Sequence, residues 1–174
     1  MSELLLGSLF VFGYYTIVST TALALFFSFL FILAILVQYD LRHTIVPFKL
    51  SLLLVALGAL YAVHTTPNVS ELSNTFLLAG AVGFGFFLLH TLSGGRWMGL
   101  GDTPIALALA LLVGMQAVSG LLFSFWIGAV VGIGILVTTP VGRRMGIEVP
   151  FVPFLAAGYL LAFFTQWNPL LFLP

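Results

Sequence analysis

Cysteine is absent from the chain, which excludes disulfides, thiolate nucleophiles and zinc sites built on cysteine. Charge is nearly as scarce. Five Lys and Arg stand against five Asp and Glu, and charged residues make up 6% of the sequence, against roughly 25% in a soluble domain. The formal net charge is zero, and no basic run is available to neutralise phosphates, so nucleic-acid binding has no support. What fills the chain is apolar: 61% hydrophobic residues with a mean hydropathy of +1.24. That composition belongs to a polytopic membrane protein and leaves no room for a separate soluble domain. The expected architecture is all-α, a transmembrane helix bundle forming one domain over residues 1–174 and embedded in the lipid bilayer. The opening "MSELLLGSLF" is acidic, with no small-residue cleavage site ahead of a soluble domain, and reads as a retained membrane segment.

A spanning helix needs roughly 20 apolar residues. The apolar stretch from Leu4 to Val37 is too long for one span, and a break is expected near Ser19 to Thr21. This gives a short first helix and a second ending at Asp40. Further spans are expected at Phe48–His64, Asn74–Leu92, Thr103–Val118, Gly120–Thr139 and Phe151–Trp167. The count is seven, or six if the first segment lies in the interface. The basic residues Arg42, Lys49, Arg96, Arg143 and Arg144 fall in three connections that alternate with connections lacking Lys and Arg. All five then lie on one side, which the positive-inside bias makes cytoplasmic. Small residues recur at packing spacing, with Ala106, Ala110 and Gly114 on one helix face and Gly128 and Gly132 on another. Such faces let helices approach closely in lipid.

Among so few acids, position matters. Glu3 and Glu71 are expected in solvent and Glu148 in the last cytoplasmic loop, whereas Asp40 and Asp102 each fall at the cytoplasmic end of a span. Each has a plain structural explanation. "GDTP" before an apolar run is a helix start with Asp102 as N-cap and Pro104 in the first turn. Asp40 is placed to pair with Arg42 or His43. Three features favour chemistry instead. The span after Asp102 covers only about 24 Å, against a hydrocarbon core of ~30 Å, which puts the acid at or inside the boundary, where ionisable groups are costly and usually functional. Gly99 and Gly101 flank Leu100 without side-chain bulk, allowing an extended peptide backbone to approach. Finally, Asp40 arrives at the same membrane level from another helix.

Two carboxylates held together at low dielectric do not both ionise readily, so one stays protonated while the other is charged. The charged one can take a proton from water and the neutral one can donate to a carbonyl oxygen. That is aspartic-protease chemistry, and it needs neither metal nor cofactor. His43, His64 and His90 are scattered at no metal-ligand spacing, and His90 reads as an interfacial or packing residue and not a base.

"YDLRHTIVP" (Tyr39 to Pro47) resembles the D-x-R-x-x-x-I-P segment of type IV prepilin peptidases. "GLGD" (Gly99 to Asp102) is similar to their G-x-G-D motif, and "MGIEVPFVPFLAAG" (Met145 to Gly158) resembles their late I-P-F-x-P-F-L segment. The resemblance covers about Ala22 to Phe164. It implies an integral-membrane aspartic endopeptidase of the cytoplasmic membrane. Such an enzyme removes the basic leader from prepilins or pseudopilins at the cytoplasmic face. Asp40 and Asp102 become the catalytic pair. Gly99, Leu100 and Gly101, with Arg42 and Pro47 from the first motif, are expected to contact the substrate helix and its leader junction. Two departures stand out. Val46-Pro47 is followed by Phe48 where Asp or Asn is common, and Thr103-Pro104 replaces a lysine two positions after the second aspartate, leaving Lys49 or Arg96 as the available cation. The cysteine-bearing N-terminal domain of many bacterial members is expected to be absent, so cleavage without methyl transfer is expected. Three other readings use the same acids. A presenilin- or signal-peptide-peptidase-like protease shares Y-D and G-x-G-D, but its P-A-L motif is missing here. A small transporter would use the aspartates as proton or cation sites, although neither sits mid-span. A non-catalytic scaffold would keep the fold alone.

Overall fold

The structure, a computed structural model, describes residues 7, 11, 13, 17, 19–44, 46–138, 149–167 and 169. Most of the expected first span lies outside the described residues, as do Arg143, Arg144 and Glu148. Among the described residues all regular structure is helical.

Helix α1 is Thr20–His43. It starts where the break near Ser19 is expected and contains neither Gly nor Pro. It ends at Thr44 in the left-handed conformation, whose N–H reaches the Asp40 carbonyl at 2.8 Å. Helix α2 is Phe48–Thr65 and begins directly after Pro47. Helix α3, Val69–Ser93, starts five residues before the expected Asn74. The cause is Asn68, whose side-chain oxygen accepts from the Ser70 N–H at 3.1 Å and captures an otherwise orphaned helix donor. The helix closes on Gly94 and Gly95, both with positive φ. The Gly95 N–H returns to the His90 carbonyl and the Gly94 N–H to the Thr91 carbonyl, a Schellman pattern that needs residues without Cβ.

Helix α4, Asp102–Val113, is the centre of the bundle, with ten of its twelve residues buried. It packs against α2 and α3 most extensively. Its length corresponds to about 18 Å, too short to cross a ~30 Å core alone. A three-residue 3-10 turn, Gly114–Gln116, follows, and helix α5 is Ala117–Thr138. The break expected between the spans ending at Val118 and starting at Gly120 therefore falls earlier, on Gly114 with φ 59° and ψ −123°, a conformation open to glycine and strained for other residues. Helix α6, Val152–Thr165, pairs closely with α5. Their tightest approach sets Gly158 against the Ser124 backbone, and the Ser124 hydroxyl donates across to the Leu155 carbonyl at 3.3 Å. The expected small-residue stripe on α5 is not that contact: a Cβ on Gly128 would meet Phe154 at ordinary distance, and one on Gly132 would meet nothing within 4 Å among the described residues.

Among the described residues, four stretches are long and apolar enough to cross a bilayer: Thr20–His43, Phe48–Thr65, Val69–Ser93 and Asp102–Thr138. Val152–Thr165 is a shorter apolar helix. The architecture is thus a multi-pass helical bundle. The spans expected at Thr103–Val118 and Gly120–Thr139 correspond to α4 and α5, which follow one another in a 37-residue apolar stretch interrupted at Gly114–Gln116.

Candidate active site

At one end of the bundle a cavity of about 570 Å³ is walled by three chain segments. The end of α1 and its exit contribute Asp40, Thr44 and Val46. The α3–α4 connection contributes residues 95 to 101, with Asp102 beyond. Val149, Pro150 and Phe151, which lead into α6, close the third side. The three segments belong to the three sequence motifs quoted above.

Asp40 sits in the last turn of α1 with 4% of its surface exposed. Its carboxylate does not form an ion pair with Arg42 or His43, as local sequence suggests. It accepts instead from the backbone N–H of Val152 at 3.1 Å. Val152 opens α6, where the first-turn N–H groups lack partners within their own helix, and Phe151 at the N-cap provides no side-chain bond. Asp40 fills that role from a different helix and locks the end of α1 to the start of α6. A charge-assisted bond of this kind is worth roughly 1.5–3 kcal/mol.

Asp102 is 7% exposed. It does not cap its helix: the N-cap is Gly101, Asp102 is the first helical residue, and no side-chain cap bond forms. Its backbone N–H completes a turn to the Gly99 carbonyl at 3.2 Å, and its carboxyl oxygen lies over Gly99. The simple structural role for this acid is therefore vacant, and the carboxyl faces the cavity that Asp40 also lines.

The glycines of "GLGD" divide their work differently from expectation. A Cβ on Gly101 would stand 2.7 Å from the Val46 Cβ. The bare backbone there admits the first motif, so this glycine sets the approach of the two aspartate-bearing segments. Gly99 has room, since a Cβ would meet Asp102 at ordinary distance. Leu100 between them is 47% exposed at the cavity wall.

The remaining expected contact residues lie apart. Arg42 lines a separate groove on the outer face of α1 with Tyr39 and His43, whose rings stack at 4.5 Å. Pro47 begins α2 and accepts from Leu50 and Ser51 through its carbonyl. Neither borders the cavity. Arg96 does, and it is the basic residue among the described wall residues. Its Nε donates to the Ser93 carbonyl at 3.1 Å. The Val152 N–H was not legible as a partner of Asp40, although Pro150 and Pro153 bracketing it are a helix-start signal. Among the described residues no group of three or more His, Asp or Glu is arranged to hold a metal.

Neither a curated protein nor a solved structure matches the chain. The sequence model of the type IV leader peptidase family matches residues 24–137, well over half of the chain and inclusive of both aspartates. The late segment that reaches Asp40 through Val152 lies beyond that match. On this evidence, the chain belongs to the type IV leader peptidase family.

Proposed function

We propose that the chain is an aspartic endopeptidase that removes the leader from type IV prepilins or related precursors, with Asp40 and Asp102 as its catalytic pair. The observation that carries this reading is that two buried carboxylates, from helices far apart in sequence, line one cavity. Neither is used up as a cap for its own helix.

Two carboxyls in such a site share one proton, because both cannot ionise cheaply side by side. The ionised member takes a proton from water as the water oxygen bonds to the scissile carbonyl carbon. The protonated member gives its proton to the carbonyl oxygen. The tetrahedral diol then collapses, the carbon–nitrogen bond breaks, and the leaving amine is protonated by the carboxyl that took the water proton. The diol returns its own proton to the other carboxylate, restoring the pair.

The substrate would lie along Gly99, where the wall has no side chain, beside the half-exposed Leu100. Arg42 and Pro47 stand off the cavity, so contacts from them would involve parts of the substrate outside it. Arg42, Lys49 and Arg96 all cluster at the cavity end of the bundle. By the positive-inside bias that end faces the cytoplasm, where the basic leader of a precursor awaits removal.

The test uses proteoliposomes and a prepilin bearing its leader. Wild-type protein shortens the precursor at the leader junction, while Asp40→Asn and Asp102→Asn leave it intact. Cleavage that persists in either variant would remove the dyad. A transporter or scaffold would show no cleavage in the wild type.

A further inference from the structure

His90 stands near the end of α3, outside the cavity wall, yet its ring reaches into the loop that carries the second aspartate. Its Nδ1 lies 2.9 Å from the Met98 carbonyl oxygen. A carbonyl only accepts, so Nδ1 carries the proton and the imidazole is the donor. Gly95, at φ 78°, lies beneath the ring, and a Cβ there would come to 3.2 Å from the His90 Cε1. The ring is thus held on one side by a backbone without bulk.

The ties along this loop show what that bond does. The Gly95 N–H is held by the His90 carbonyl, the Arg96 N–H by the Ser93 carbonyl, and the Trp97 N–H by the Ser93 hydroxyl. Beyond them, Asp102 and Thr103 turn back onto Gly99 and Leu100, so that part is organised from α4. Met98 lies between the two halves. Its carbonyl bond to His90 is the last tie from α3 before the G-x-G-D turn.

We propose that His90 is a positioning residue for the cleavage reaction, a strut that fixes the Gly99–Asp102 turn against α3 and so sets Asp102 in the cavity. It is not a base, because it does not border the cavity. The inference rests on the function proposed above for Asp102.

Three substitutions test it. Asparagine places an N–H close to where Nδ1 donates, glutamine carries its donor further out, and leucine has none. Each variant is assayed for prepilin cleavage in proteoliposomes and for amide hydrogen exchange over residues 94–101. His90→Leu should lower kcat roughly tenfold through the lost bond, with KM changed less than about twofold and faster exchange across the loop. His90→Asn should recover to within about threefold of wild type in rate and in protection, and His90→Gln should resemble the leucine variant. A leucine variant with wild-type rate and wild-type exchange overturns the proposal, and so does an asparagine variant no better than glutamine. If wild-type protein cleaves nothing, the proposed function fails. The exchange data then decide the strut alone: protection lost with leucine and regained with asparagine upholds it, and unchanged protection removes it.

Discussion

The two ends of the bundle carry polar residues in opposite ways. At one end Asp40 and Asp102 are buried around a cavity of about 570 Å³. At the other, Glu71 is exposed in the first turn of α3, where an acid complements the helix dipole. It borders a smaller hollow of about 240 Å³ with Tyr61, Thr75 and Gln166. His64 at that end bonds the hydroxyls of Ser19 and Thr21, a clasp between α1 and α2. At the far end Glu71 faces solvent and His64 ties two helices together. At the cavity end two acids are withdrawn from solvent and gain only limited local bonding. Two acids buried beside one cavity, only one of them tied to another helix, mark the end where chemistry is expected.

Substitutions at the two ends should separate in proportion. The largest effect belongs to the dyad: Asp40→Asn or Asp102→Asn should lower leader cleavage by roughly 10²–10⁴-fold, the range of acid–base groups, with circular dichroism unchanged. Gly101→Val comes next. It drives a side chain into Val46, and overpacking of this kind costs about 1–3 kcal/mol. Activity should fall and the melting temperature with it, and Val46→Ala in the same chain should restore part of both. Arg96→Gln should raise KM for a leader-bearing substrate more than Arg42→Gln does, because Arg96 borders the cavity and Arg42 faces the outer groove. A steady-state comparison of the pair checks this. The smallest effect is expected at the far end, where Glu71→Gln should leave cleavage within about twofold, as exposed charges contribute little. A strong loss there would dissolve the contrast between the ends.

Much of this contrast was legible in the sequence. The apolar runs and the Ser19, Pro47 and Gly94 boundaries place the helices, because chain breaks in a membrane protein are local chemistry. The two aspartates stood out because acids are so few. What escaped was set by packing between distant segments. The break at Gly114 and the 12-residue α4 depend on four neighbouring helices sheltering a short one. Gly101 read as an opening for substrate, whereas its missing Cβ is matched to Val46. The plain structural partner for Asp40 in the sequence is Arg42 or His43, and its partner in the fold is the backbone of Val152. No local pattern encodes a bond between residues so far apart. His90 reads in the sequence as an interfacial or packing residue, because its acceptor, Met98, is a backbone carbonyl that carries no sequence signal.

The absence of cysteine allows the central claim, that Asp40 and Asp102 meet in one cavity, to be tested without competing thiols in the chain itself. Asp40→Cys and Asp102→Cys in one chain, in native membranes, should be joined within the molecule by a short bifunctional methanethiosulfonate. A His64→Cys and Asp102→Cys pair, from opposite ends of the bundle, should not be. Linkage of the aspartate positions alone is the result the account predicts. If both thiols react singly with a monofunctional reagent yet are never linked, the two aspartates do not share a site and the proposed dyad is wrong.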